Sequence, residues 1–326
     1  MTFNPTVAVY GGANIDIQAI SHEEFRMGDS NPGVSSISLG GVGRNIAENT
    51  ARLGLSTELV TVFGGDEMAS QLADGCRRVG VEVGRSLILP NETTSRYICI
   101  IGHDGKLVGA VSAMDILEHF GPEEVLARSE PGDSAELVVI DTNLRQDSME
   151  AAAKRWKDKI LVLDPVSEAK AAKAVPFLSC FSFAKPNLDE ARILAGLKAI
   201  KVVDFVRLDE KGLLKITHES GLALLSAGLK EVYISLGAVG MMWFNRKEAG
   251  LVRPLKMPVI NVSGAGDAAN AAIIWGSLKK LDTGEKAALA MAAAGLSAAS
   301  TATVSEKMSV AQIRELAKGV EHEPVY

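Results

Sequence analysis

Between Arg44 and Gly80 the chain reads RNIAENTARLGLSTELVTVFGGDEMASQLADGCRRVG, a helix, a strand and a second helix in succession. Ile46 and Leu53 fall on one side of the first helical stretch, Arg44–Leu53. Thr57–Phe63 is a compact β-rich run of the kind buried on both faces of a parallel sheet. Met68, Leu72 and Val79 then recur at helical spacing over Asp66–Val79, and Gly80 stands where a helix ends on a left-handed residue. Further runs of the strand type lie at Thr6–Tyr10, Leu137–Asp141, Ile160–Asp164 and Glu231–Leu236. Strands alternating with helices predict a layered α/β sheet with right-handed crossovers.

Two segments break the rhythm. Residues 17–39 have no helical period. Residues 94–113 read as a hairpin, with Ser95–Gly102 and Leu107–Ser112 flanking the turn His103-Asp104-Gly105-Lys106. Together they predict a small β-sheet lid inserted into one α/β domain spanning residues 1–326. From Gly264 on, helices are predicted over 264–280, 284–301 and 309–318. No repeat or Pro/Ser-rich linker divides the chain.

Composition narrows the function classes. The 326 residues are 47% hydrophobic and 23% charged, with 34 Lys+Arg against 40 Asp+Glu and a net charge of −6. That balance argues against a nucleic-acid grip built on a basic field. Cys76, Cys99 and Cys180 form no CxxC pair, so neither a disulfide framework nor a thiolate zinc site is indicated. The start of the chain does not resemble a signal peptide, and Ala287–Ala302 is too short and weakly hydrophobic to span a bilayer. A cytoplasmic protein with no membrane partner is expected.

Five glycine- or polar-rich segments can carry chemistry. Asn261-Val262-Ser263-Gly264-Ala265-Gly266-Asp267 precedes a helical run, and its glycines plus the helix N-terminus make an anion site suited to a phosphate. A plain helix start with an acidic first turn would look the same. Gly40-Gly41-Val42-Gly43-Arg44-Asn45 lets a ligand lie close to the backbone, with Asn45 offering donor and acceptor to a hydroxyl-rich ligand. Arg44 itself reads as a solvated helix residue. Gly11-Gly12-Ala13-Asn14-Ile15-Asp16 follows the first strand, where ligands of open α/β sheets bind. There Asp16 can accept two sugar hydroxyls; an Asx turn is the alternative.

Asn187-Leu188-Asp189-Glu190 is either a capping box or a pair of groups holding the waters of a magnesium ion. Lys185 reads as a surface or strand-end lysine. Ser235-Leu236-Gly237-Ala238-Val239-Gly240 can wrap a phosphate tail or simply join two strands. GxxxxGK(S/T), HEXXH, GxSxG and the protein-kinase signatures do not occur.

In this order, GGANID, GGVGRN, KPNLDE, SLGAVG and NVSGAGD resemble the ribokinase-like (PfkB) carbohydrate kinase family over nearly the whole chain. The resemblance implies a mostly parallel sheet between helices with a β lid over the acceptor, and an ATP- and Mg2+-dependent kinase. It makes Asp267 the base at the acceptor hydroxyl and Gly264, Ala265 and Gly266 the anion hole for the transferring phosphoryl group. Asn14, Asp16, Gly41, Gly43 and Asn45 correspond to the acceptor side. Asn187 and Glu190 match the metal-and-phosphate motif, Ser235, Gly237 and Gly240 the nucleotide turn, and Asn270 the adenine pocket. Many members carry Asp at the position of Asn261, where it helps hold a monovalent cation, so K+ activation is left open. A homodimer paired through the lid is also implied.

The stretch Gly28-Asp29-Ser30-Asn31-Pro32-Gly33, the context of GGVGRN, and Asn143 are similar to the branch that phosphorylates the 5′-hydroxyl of the C-nucleoside pseudouridine. Ser30, Asn31 and Asn143 would read the base. Ribose, fructose-like sugars or another nucleoside such as adenosine remain alternative substrates.

Overall fold

The computed structural model describes residues 4–198 and 209–325. Ten strands form one sheet, in the order His322–Val325, Ala249–Val252, Met241–Asn245, Glu231–Ser235, Phe183–Ala184, Ile160–Asp164, Leu137–Asp141, Val7–Tyr10, Thr57–Val60 and Val81–Glu82. From Glu231–Ser235 to Val81–Glu82 neighbouring strands run parallel. The three at the other edge are antiparallel.

Helices cover both faces, which is why the central strands are apolar without alternation. Along Val7–Tyr10, Ala8 and Tyr10 enter one core with Met149 and Leu224, while Val7 and Val9 enter the opposite core with Ile46 and Ile273. Side chains of a strand point alternately to its two faces, so one four-residue run serves two layers. This is the expected α/β architecture. The expected strand Thr57–Phe63 divides in two. Thr61 donates its N–H to Ser86 Oγ, and Val62–Gly64 leaves the large sheet to pair with Leu87–Leu89.

A separate four-stranded sheet has the order Gly33–Gly40, Asn14–Ser21, Arg96–Ile101, Leu107–Ala113. Both segments that broke the helical rhythm lie in it. The hairpin reverses at Gly105, whose φ is 79°. Its two faces differ. Ile17 pairs with Ile37 and Ile98, and Ile98 with Val111, making an apolar row on which Ile37 and Val111 are 61% and 62% exposed. One residue along, Asp16, Ser38, Tyr97 and Ser112 form the row that lines a cleft against the large sheet.

Helices occupy Ala265–Leu278, Thr283–Ala298 and Val310–Ala317, close to the expected spans. Among the described residues no helix is long and apolar enough to cross a membrane.

Candidate active site

The cleft has a volume of about 1190 Å³ and is lined by the smaller sheet on one side and by Gly41, Asn45, Asn143, Val166 and Gly264 on the other. It lies where parallel strands end in Asp141 and Asp164 and where two helices, Val42–Arg52 and Ala265–Leu278, point their N-termini. Val166, a β-branched residue, holds a left-handed backbone at φ 60°, a strained conformation of the kind concentrated at functional sites.

Gly264 precedes Ala265–Leu278 with φ 79°, and a Cβ there would stand 2.1 Å from the Thr303 carbonyl oxygen. Only glycine fits. Ala265 N–H is used by the Val262 carbonyl, but the N–H groups of Gly266 and Asp267 fall in the first turn, where no intrahelical acceptor exists. They are free for an anion. Facing them is Lys185, only 7% exposed, whose Nζ lies 3.2 Å from where a Gly266 Cβ would sit. No hydrogen bond joins Lys185 to a described residue. A buried, unpartnered ammonium beside open helix amides is chemically poised for a polyanion. Of the two expected positions, surface or strand end, Lys185 takes the strand end, directly after Phe183–Ala184, and it is buried.

Asp267 accepts a 2.9 Å hydrogen bond from Asn45 Nδ2. Burial pushes its carboxyl up to about 7; Asp164 and Asp141 push the same way, while Asn45 and Lys185 oppose. A carboxyl poised there can take a proton near neutral pH. Burial also raises Asp141 to about 6, against hydrogen bonds from Gly12 N–H and Asn143. Asn270 is fully buried and donates to Asp164 Oδ2 at 3.0 Å, so it faces the carboxylate cluster, away from the cleft wall.

On the other side of the cleft Asn14 donates to Asp16. Burial raises the Asp16 carboxyl, with Asn14 and Arg44 opposing. Gly41, at φ 97°, starts Val42–Arg52, and a Cβ on it would strike the Gly12 carbonyl oxygen. Gly43 packs over Gly11 in the first turn of that helix. Arg44, read as solvated, is buried and paired with Glu48. Arg44, Glu48 and Arg52 recur four apart, and that charge spacing was the available signal.

Asn143 lines the cleft, donating to Asp141 Oδ2 and accepting from Lys170 Nζ at 2.7 Å. Ser30 and Asn31 stand apart from it. Both occupy an exposed tip, where Asn31 bonds the backbone of Arg26 and Asp29.

Asn187 and Glu190 form a capping box on Leu188–Leu194. Glu190 Oε2 accepts the Asn187 N–H, leaving Oε1 outside the cap. Burial raises the Glu190 carboxyl and Lys185 opposes. Amide and carboxylate oxygens are donors for a hard cation that keeps most of its waters, so this pair fits Mg2+. No cluster of three or more His, Cys, Asp or Glu side chains able to hold a metal occurs among the described residues. Ser235 bridges to Asn187 across the strands, and Gly237 and Gly240 bound the turn from Glu231–Ser235 to Met241–Asn245. Asn261 Oδ1 accepts the Ser263 N–H, and its Nδ2 points at the Thr301 carbonyl.

Comparison with known proteins gives this cleft a family. The model of the pfkB family carbohydrate kinases matches residues 4–309. Pseudouridine kinase of Escherichia coli is 29% identical, covering 97% of both chains. A carbohydrate kinase from Agrobacterium tumefaciens superposes with a TM-score of 0.83 at 28% identity, covering 98% of this chain and 99% of that one. Arabidopsis thaliana ribokinase shares the fold, with a TM-score of 0.77 at 20% identity over 97% and 99% of the two chains. The chain belongs to the pfkB family of carbohydrate kinases, ATP-dependent phosphotransferases acting on sugars or nucleosides.

Proposed function

We propose that this kinase transfers the γ-phosphoryl group of ATP to the 5′-hydroxyl of pseudouridine, in the cytoplasm. The observation that carries the transfer is the meeting of Asp267, the open Gly266 and Asp267 amides and buried Lys185 directly behind Asn45 and Gly264, which line the cleft. The nucleoside is supported by the likeness to the Escherichia coli enzyme over nearly the whole chain.

Asp267 accepts the proton of the 5′-hydroxyl as that oxygen bonds to the γ-phosphorus and the bridge to the β-phosphate breaks. The helix amides and Lys185 hold the negative charge of the transferring group, the usual source of catalysis in phosphoryl transfer. Asp16 and Asn14 take ribose hydroxyls, with Gly41, Gly43 and Asn45 shaping that pocket. Ser235, Gly237 and Gly240 form the nucleotide-side turn, and Asn270 fixes the floor beneath the phosphates. Asn187 and Glu190 hold the waters of Mg2+, which supplies charge neutralisation on the phosphates. The neutral Asn261 amide already meets the Thr301 carbonyl, which favours an enzyme independent of K+.

The smaller sheet serves as the lid. Its outer row of Ile17, Ile37, Ile98 and Val111 supports pairing of two copies into a homodimer. Asn143 reads the base; the Ala variants of Ser30 and Asn31 test whether the tip folds over bound nucleoside. The free thiols of Cys76, Cys99 and Cys180 suit a reducing cytoplasm.

Pseudouridine carries a free N1–H that uridine lacks. A buried acceptor left unpaired costs about 1–3 kcal/mol, or roughly 5- to 150-fold in kcat/KM. ATP consumption with pseudouridine, uridine, ribose, fructose and adenosine side by side tests the assignment. Equal kcat/KM for pseudouridine and uridine defeats base reading. Ribose outperforming both moves the enzyme to the sugar-kinase branch.

A further inference from the structure

Asn45 is the sole side chain that hydrogen-bonds Asp267 among the described residues. An amide can present either of two ends to a carboxyl, and they have opposite effects. Its NH2 end stabilises the ionised form; its oxygen favours the protonated form. Something has to choose between them.

Arg44 Nη1 lies 3.0 Å from Asn45 Oδ1. A guanidinium has five donors and no acceptor, so only the amide oxygen can face it. Arg44 is itself held on two sides. The same Nη1 donates to the Leu39 carbonyl at 3.2 Å, and Nη2 pairs with Glu48. Glu48 is clamped from the other flank by Arg52, at 2.7 Å. Arg44 is 7% exposed and Glu48 4%, so the chain of bonds is shielded from competing water. We propose that Arg44 is a positioning residue: by occupying the Asn45 oxygen, it obliges Asn45 to present a donor to Asp267.

The other charges around Asp267 come from different elements. Asp164 and Asp141 end two strands of the large sheet, and Lys185 follows Phe183–Ala184. None of them touches Asn45 through a recorded hydrogen bond, so none can set its orientation. Arg44 acts on Asp16 and Cys76, and it is not among the chief charges that act on Asp267. Its effect on Asp267 is therefore carried by Asn45 rather than by direct attraction.

The consequence for turnover rests on Asp267 being the base; the titration itself does not. The test is carbon-13 NMR of Asp-labelled, ligand-free protein, with the Asp267 signal assigned by its loss in Asp267→Asn. Asn45→Ala should raise the Asp267 midpoint by about one pH unit, the effect of losing a hydrogen bond to a charged group. Arg44→Met should raise it as much, while leaving Glu48 paired with Arg52. The double variant should go no further than Asn45→Ala alone, and Arg44→Lys, also donor-only, should keep the wild-type midpoint. An unmoved midpoint in Arg44→Met overturns the proposal. So does a double variant shifted beyond Asn45→Ala, which would mean direct attraction. Should Arg44→Met not fold, a midpoint displaced in Arg44→Lys to the Asn45→Ala value overturns it equally. A kcat–pH profile that follows the NMR midpoint supports the base assignment. A profile that ignores it removes Asp267 from that role and leaves the positioning of Asn45 standing.

Discussion

Ala265–Leu278 and Thr283–Ala298 are neighbouring Ala-rich helices packed on each other, yet their N-termini are built oppositely. Thr283–Ala298 is closed: Asp282 accepts the Glu285 N–H and Glu285 accepts the Asp282 N–H in a complete capping box. Ala265–Leu278 starts on Gly264 with no side-chain cap. The closed end serves stability. The open end keeps its amides for an outside anion, at the expense of the roughly 0.5–2 kcal/mol a cap contributes. Its acid behaves accordingly. A helix N-terminus favours a carboxylate by about 0.3–1 kcal/mol, but burial and Asp164 outweigh that at Asp267 and raise it to about 7.

The largest effect should come from removing that acid. Asp267→Asn is expected to fold and to lose about 10²–10⁴-fold in kcat; retention of a third of wild-type turnover would take the base role from Asp267. Two pH signatures accompany it. In wild type, kcat should rise as pH climbs through about 7, where Asp267 ionises. Stability should run the other way, because a carboxyl raised from 3.8 to about 7 binds more protons folded than unfolded across that window. Thermal melts should therefore show Asp267 eroding stability between about pH 4 and pH 7, and Asp267→Asn should melt higher than wild type at pH 8.

Lys185→Met tests the open end from the other side. Loss of one preorganised donor to a developing anion should lower kcat about 10²–10³-fold. Removing an unpaired buried charge should not lower Tm. A Tm drop with intact kcat would make Lys185 a structural residue.

Leu188–Leu194 sits between the two designs, since its cap is also a candidate metal contact. Glu190→Gln keeps an acceptor for the Asn187 N–H, so Tm should hold. The magnesium needed for half-maximal rate should rise several-fold, and an unchanged magnesium dependence would reduce Glu190 to a cap. Smallest of all on turnover is Asp282→Ala: about 1 kcal/mol of stability lost by denaturant titration, with kcat unaltered. A comparable fall in kcat would erase the distinction between the two helices.

Much of this was legible before the fold was known. Runs such as Leu137–Asp141 and Ile160–Asp164 match their strands because a strand buried on both faces must be apolar throughout. Asp104-Gly105 marked the hairpin because that turn needs a left-handed residue. The burial of Arg44 and Lys185 went unread for one reason. A charged residue has a strong prior for the surface, and what overrides it is a bonded partner or, short of that, an opposite charge that the fold brings near. Arg44 is buried because Glu48 and Asn45 receive its donors, and Lys185 because the carboxylates of Asp267 and Glu190 lie within electrostatic reach. Lys185 could have been found from its place after a parallel strand, at the carboxyl end where ligands bind. The split of Thr57–Phe63 was not legible, since the partners of its second part, the Ser86 hydroxyl and the strand Leu87–Leu89, come from a later stretch of the chain.

The bond between Asn45 and Asp267 spans 222 residues. At about 5–20 residues per second, the ribosome needs roughly 11–44 s to deliver the second partner after the first. For that interval Val42–Arg52 waits without the helix it will dock against. Beside the apolar Ile46 and Ala47, its buried residues include Arg44, Asn45, Glu48 and Asn49, groups that water solvates well, so this polar stretch offers little for another chain to stick to. The polar seam that orients the acid in the finished enzyme thus doubles as protection against premature association while the enzyme is still being made.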